Sequence, residues 1–289
     1  MAEIVPQIIV SGLLIGGVYA LVSVGLSLLF GVVDIVNFAH GEFLMLGMYT
    51  TYWIWVFSGV DPLITLIICI PVMFLTGALL MKYLFKRIID ASPLTQIFLT
   101  VGLQILLQNV ALMAFSANYR TIQVVYNEIV WNIGGVTIQI SRLIAFFIAI
   151  LLSIILWLFL TRTDMGKAMK ASQLDRETAK LMGINTDKIF MIAAGISAAI
   201  TGAAGTAIST FFYVFPTVGV SFGLMAYITV ILGGLGNLKG AFVGGLLIGV
   251  AEAFGVQYVG ADSGLLLAFI IFIILLTIKP QGLFSKGVA

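Results

Sequence analysis

The side chains able to do chemistry in this sequence are few, and most lie in two short stretches. GVVDIVNFAHGE, residues 31–42, holds Asp34, Asn37, Glu42 and the chain's single histidine, His40. RTDMGKAMKASQLDRETAKLMGINTDK, residues 162–188, holds ten of the twenty-six charged side chains, six of them basic. Neither stretch reads as a catalytic set. With one histidine and one cysteine there is no Cys–His cluster, and no carboxylate pair recurs at metal-ligand spacing. The nearest approach to a phosphate loop, GGLGNLKG at 233–240, does not fit the pattern around its lysine and has no Ser or Thr after it. The sequence therefore predicts no cofactor, metal or ATPase site of its own; if ATP is used, another subunit must supply it.

The first stretch interrupts two apolar runs. A charged group inside a span costs about 2.5–3.5 kcal/mol on insertion scales, so Asp34, His40 and Glu42 would be an expensive accident at mid-membrane. Two outcomes avoid that cost. The stretch is a loop at the water surface, or it faces a protein-lined path or fixes the angle between two helices by hydrogen bonding. Asn37, His40 and Glu42 are the candidates for the second role. Thr100, Gln104, Gln108 and Asn109 form a polar stripe at roughly helical spacing in a later run, facing either a neighbouring helix or a pore. Of these, Thr100, Gln104 and Asn109 join the list of candidate path residues. Glu252 sits near the outer end of the eighth run and is either interfacial or buried.

The second stretch predicts an amphipathic helix in water. Thr163 or Asp164 can cap its start. Residues 165–182 are good helix formers, with Ala168, Ala171, Leu174, Ala179, Leu181 and Met182 as a loosely apolar side. Gly183 suits a left-handed stop. A purely solvated connection needs no apolar side, so partner docking is the favoured expectation over a plain loop.

The elements that position these residues follow from composition. Hydrophobic residues make up 61 % of 289 and charged residues 9 %, whereas soluble chains run near 45–50 % and 25 %. The solvent must be a bilayer, and at roughly 20 apolar residues per span the length allows about eight or nine crossings and no second soluble domain. A single transmembrane domain, 1–289, is expected. Apolar runs occur at about 8–30, 41–58, 63–85, 94–115, 142–160, 188–212, 222–235, 240–259 and 264–278. In lipid each must be a helix, and an all-α polytopic protein with discontinuous segments results. The first run, lacking a basic lead-in, is expected to be an uncleaved span. Cys69, alone in an apolar run, excludes an intrachain disulfide framework. The net charge of +2 gives no reason to expect a nucleic acid partner.

Orientation follows from Lys and Arg. Lys82, Lys86 and Arg87 close the third run, the charged island (about 161–188) follows the fifth, and Lys279 and Lys286 follow the last. All three places are expected to be cytoplasmic. The loop at about 116–141, with only Arg120 and, just beyond it, Arg142, should face outward. Nine spans put the N-terminus outside and eight put it inside; the sequence leaves both open. In the outer loop, IVWNIGGVTIQI places Gly134-Gly135 between two β-rich stretches, which predicts a small hairpin, either a plain cover or part of a docking surface. Glycines four apart (Gly12 and Gly16, Gly240 and Gly244) predict close helix packing. A loose internal echo links residues 16–48 with 223–250, each running helix, polar break, helix.

At this point the stretches GLLIGGVYALVSVGLSLLFGVVDIVNFAHGEFLMLGMY, TDMGKAMKASQLDRETAKLMGIN, GGLGNLKGAFVGGLLIGV and the ending KPQGLFSKG resemble the permease subunits of bacterial branched-chain amino acid ABC importers. The likeness runs from about residue 8 to about 285, with no departure in the stretches quoted. It implies the ABC importer permease fold in the bacterial inner membrane. A second permease subunit, identical or related, would complete one path. Two cytoplasmic ATP-binding cassette subunits would dock below, and a periplasmic substrate-binding protein would deliver the amino acid above. The ATPase contact would fall on Asp164, Gly166, Lys167, Lys170, Asp175, Arg176, Lys180 and Gly183. Members of this family also carry other amino acids, amides and urea. Two rival classes are weighed against it. An ion-coupled secondary transporter would need ionisable residues deep in several spans and no docking helix. A membrane enzyme would need a His, Asp or Glu cluster at the bilayer boundary.

Overall fold

The computed structural model describes residues 4–260, 263–279 and 282–284. Among the described residues twelve α-helices and one two-stranded sheet succeed one another: α1 Ile4–Val33, α2 His40–Ser58, α3 Leu66–Tyr83, α4 Pro93–Phe115, α5 Val125–Glu128, β1 Val130–Ile133, β2 Val136–Gln139, α6 Ile140–Arg162, α7 Asp164–Leu174, α8 Arg176–Leu181, α9 Thr186–Ile208, α10 Val218–Gly233, α11 Leu238–Tyr258 and α12 Gly264–Ile278. Each of the nine apolar runs of the sequence has its helix. Six of these are long and apolar enough to cross a membrane (α1, α3, α4, α6, α9 and α11), and α10 and α12 are shorter.

The layering follows from side-chain size. α1 and α9 form the buried centre. α9 reads GISAAITGAAGTA in its middle, and its small residues let α2, α3 and α1 approach closely. α3, α4, α6 and α12 lie outside them and turn Ile67, Phe98, Met113, Phe147 and Ile273 outward, each more than half exposed. A shell of that kind is stable only against lipid.

Two ends are defined by α6, whose 23 residues rise roughly 34 Å. The β1–β2 hairpin stands at its start and the charged island at its finish. The hairpin pairs Val130 with Gln139 and Ile133 with Val136, around Gly134 and Gly135 at φ +58° and +82°. That is the mirror-image turn expected from the sequence. Gln7 ties α1 to the hairpin by accepting from the Thr137 amide at 2.7 Å. At the other end Lys86 pairs with Asp187 at 2.5 Å, and the Leu283 amide donates to Leu232 at 2.8 Å. Lys82, Lys86 and Arg87, the island and Lys279 thus share one end; Lys286 lies outside the described residues. The start of α1 and the finish of α12 lie at opposite ends.

Two departures from the sequence expectations stand out. The island is not one helix over 165–182. Asp175 leaves helical geometry (φ −156°, ψ 110°) and divides it into α7 and α8, because its carboxylate caps α8 through the Glu177 and Thr178 amides. The internal echo also fails in depth. The break at 234–237 is a tight turn at the island end, with Gly236 against Gly31, whereas the break at 34–39 re-enters the bundle.

Candidate functional site

The re-entrant stretch begins where α1 ends. Asp34, at φ +59°, reverses the chain; Asp tolerates this left-handed geometry better than most residues. Residues 34–37 then run back without helical structure alongside α4. Their polar backbone is satisfied by one face of α4. Gln96 Oε1 accepts from the Val36 amide at 3.3 Å, and Thr100 Oγ1 donates to the Val36 carbonyl at 3.1 Å. Two turns further, Gln108 Nε2 donates to Glu42 Oε1 at 2.8 Å. The stripe facing this segment is therefore Gln96, Thr100, Gln104 and Gln108, each four residues apart, with Gln104 beside Glu42. Gln96 was not anticipated from the sequence. Asn109 lies a third of a turn away; it is exposed and donates to its own helix at Ile105, 2.8 Å.

Asn37, His40 and Glu42 are all fully buried, which excludes the surface-loop alternative. Asn37 Oδ1 accepts from the Ala39 amide at 3.1 Å and shapes the turn into α2. His40 Nε2 lies 3.1 Å from the Val22 carbonyl and 2.8 Å from Thr201 Oγ1. A carbonyl can only accept, so the proton sits on Nε2 and Nδ1 keeps a lone pair with no partner among the described residues. Thr201 in turn donates to Ser197 at 2.9 Å. Val22 lies in the middle third of α1, so α2 starts deep in the bundle rather than at an end.

α10 starts at a similar depth. Gly41 and Gly219, the second residues of α2 and α10, meet backbone to backbone, and a Cβ on either would collide with the other. From this meeting point the helices diverge. α2 climbs to the hairpin end, where Asp61 accepts from the Tyr126 hydroxyl at 3.3 Å; α10 descends to the island end. Each helix start carries a partial positive charge. The Glu42 carboxylate lies in the first turn of α2 and against Gly219, where both helix starts favour a negative charge. Its Oε2 has no partner among the described residues.

The island is built from the residues its sequence singled out. Thr163, not Asp164, caps α7, accepting from the Gly166 amide at 3.0 Å. Gly166 is pressed against Phe159 and Leu160 at the end of α6, so no side chain fits there. Asp164 pairs with Lys167 at 3.2 Å, Lys180 with Glu177 at 2.8 Å, and Arg176 with Asp90 at 2.7 Å. The Arg176 guanidinium also lies 5.1 Å over the Phe190 ring. Lys170 is exposed. Gly183, at φ +83°, stops α8, and the Ile184 amide closes the turn onto Ala179 at 3.1 Å. Leu174, Leu181 and Met182 stand out into water, 88 %, 87 % and 78 % exposed. Hydrogen bonding to the Thr178 hydroxyl and amide holds the Asp175 carboxyl below its usual range.

Interrupted helices, a buried polar junction and an amphipathic element at one end define a multi-pass membrane protein of the transport-permease class. Residues 8–276 match the family described as branched-chain amino acid transport system, permease component, and the chain belongs to that family. A high-affinity branched-chain amino acid transport system permease protein of Pseudomonas aeruginosa is 30 % identical over 97 % of this chain and 95 % of its own. Its counterpart in Escherichia coli K12 is 27 % identical over 96 % and 94 %. A probable branched-chain amino acid transport permease of Methanocaldococcus jannaschii is 26 % identical over 98 % and 94 %. No solved structure matches the chain.

Proposed function

We propose that this chain is the permease subunit of an ATP-driven importer that moves branched-chain amino acids across the bacterial inner membrane. The observation that supports this most directly is the island. α7 and α8 present Leu174, Leu181 and Met182 to water between basic side chains, a combination a partner groove would cover and bare solvent would not favour. The same element is fastened to the bundle by Gly166 on α6 and by Arg176 on Asp90. A partner that moves it therefore pulls on α6 and on the α3–α4 connection together.

In this scheme two ATP-binding cassette subunits seat the islands of two permease chains on the cytoplasmic side. A periplasmic binding protein delivers the amino acid at the hairpin end. Closure of the ATPases on ATP shifts the spans as rigid bodies, and access alternates between the two sides. Asp164, Gly166, Lys167, Lys170, Asp175, Arg176, Lys180 and Gly183 form or shape the docking element. The junction of Asn37, His40, Glu42, Thr100 and Gln104 fixes the re-entrant segment beside the path; Asn109 faces away from it.

The test is co-purification and uptake. In detergent an ATPase subunit should accompany the chain, and a strain lacking the gene should lose ATP-dependent uptake of leucine, isoleucine and valine. Uptake that follows an ion gradient, with no ATPase attached, would overturn the proposal.

A further inference from the structure

A cavity of about 550 Å³ opens between α1, α6, α10, α11 and α12 in the half of the bundle nearer the hairpin. That size falls within the few hundred to about 1,000 Å³ of small-molecule sites. Its lining combines opposite charges with an apolar wall. Arg142 enters from the first turn of α6, with its guanidinium 5.7 Å from the Phe211 ring centre. Glu252 enters from α11, beside the Tyr19 hydroxyl. Among the described residues neither charge belongs to an ion pair, and Glu252 Oε2 is buried with no partner. The same wall includes Phe212, Phe222, Met225 and Leu265, with the two phenyl rings edge to face at 5.6 Å.

Apart from the Tyr19 hydroxyl the Glu252 carboxylate has no counter-charge among the described residues, and such a group in a membrane protein is costly unless a cation pairs with it. Gln7, also on the cavity wall, does not do so; its amide is spent on Ser11 and Thr137. The three parts of the lining match the three parts of an apolar amino acid. A guanidinium takes a carboxylate in paired hydrogen bonds, a carboxylate takes an ammonium group, and the aromatic and aliphatic wall takes the side chain.

We propose that this cavity binds the amino acid zwitterion, Arg142 holding its carboxylate and Glu252 its ammonium group. It is the site that receives substrate at the hairpin end, and the assignment rests on the permease function proposed above. A ligand lacking the ammonium group would leave Glu252 Oε2 buried without a partner, and one lacking the carboxylate would leave Arg142 without its anion, so the site discriminates against amines and acids of the same shape.

Ser221 lines the cavity and is exposed, whereas Cys69, the only cysteine, is buried. Ser221→Cys in the assembled importer, without its binding protein, is therefore a reporter of occupancy for a maleimide. Leucine at ten times its dissociation constant should slow labelling about ten-fold by mass action. 3-Methylbutylamine and 4-methylpentanoate, each lacking one charge, should not protect at that concentration. Adding Glu252→Gln or Arg142→Gln should raise the leucine concentration for half-protection by about 30-fold or more, the loss of one charge-assisted pair. Val130→Cys on the hairpin should label at one rate throughout. Labelling of Ser221→Cys that ignores leucine, or protection by the singly charged analogues equal to leucine's, would overturn the site. Leucine uptake by the unsubstituted importer with its binding protein separates the two proposals. Absent uptake counts against the permease function, while normal uptake with an unprotected cysteine counts against the cavity alone.

Discussion

Arg176 donates to Asp90 at 2.7 Å, joining the start of α8 to the connection between α3 and α4 across 86 residues of chain. Asp90 is 84 % exposed and Arg176 is 27 % exposed, so the pair contributes little to stability; exposed pairs are worth about 0–1 kcal/mol. Its place suggests transmission instead, since α8 would otherwise touch the bundle chiefly through α7 and α9. Asp90→Asn should leave the thermal stability of the purified importer nearly unchanged and lower the leucine moved per ATP hydrolysed. An unchanged ratio would restrict the pair to tethering.

The meeting of Gly41 with Gly219 makes a sharper structural prediction. A methyl group at either position would overlap the backbone of the other helix, and neither backbone can yield without separating α2 from α10. Overpacking costs typically about 1–3 kcal/mol and more where backbone must move. Gly41→Ala should therefore sharply reduce the yield and thermal stability of the permease. Gly102→Ala on α4, where nothing lies within 4 Å, is the matched control and should be neutral or slightly stabilising. Equal behaviour of the two variants would mean that the junction is not packed in the membrane as described.

The sequence made the apolar helices legible because composition alone demands a bilayer and each run is bounded by charge, glycine or proline. The hairpin was legible from Gly134-Gly135, since few residue pairs favour that turn. The division of the island at Asp175 was not, because the residues on both sides favour helix and only the capping bonds to Glu177 and Thr178 decide the break. The depth of residues 34–42 was also hidden. Charges between apolar runs read equally as a surface turn, and the partners that make burial tolerable, Gln96, Val22 and Thr201, lie far away in sequence. Arg142 and Glu252 were visible singly, but their shared cavity depends on how α6 and α11 pack around α1, which no local pattern encodes.

Neighbouring residues of α4 test the orientation of its polar stripe. Gln108 donates to the buried Glu42, while Asn109 is exposed and bonds only within its own helix. Gln108→Leu removes the 2.8 Å hydrogen bond to Glu42 Oε1 and leaves only Gln104 beside the carboxylate, which should destabilise the protein by about 1–3 kcal/mol, the cost of under-satisfying a buried acceptor. Asn109→Leu should lie within about 0.5 kcal/mol of the parent, as surface changes do. Thermal unfolding of the two variants in the same detergent would check the contrast, and the reverse order would place the other face of α4 against α2.

Asp175 should make α8 sensitive to acid. Its carboxylate accepts from the Thr178 hydroxyl and from the Thr178 and Glu177 amides, which favour the charged form and hold its pKa below the ordinary value of 3.8. A group with a depressed pKa stabilises the fold fully above its unfolded value. That contribution fades as pH falls toward and through the lower folded value. The protection of the Glu177 and Thr178 amides, taken relative to the intrinsic exchange rate at each pH, should therefore be constant from neutrality to about pH 5 and fall below about pH 4. Asp175→Asn keeps a good cap acceptor and should remove this acid dependence while preserving protection at neutral pH. Asp175→Ala removes the acceptor and should expose both amides at every pH. Because α8 carries Leu181 on the proposed docking face, Asp175→Ala should also weaken retention of the ATPase subunit at neutral pH, where Asp175→Asn retains it. Identical retention in the two variants would separate the cap from docking.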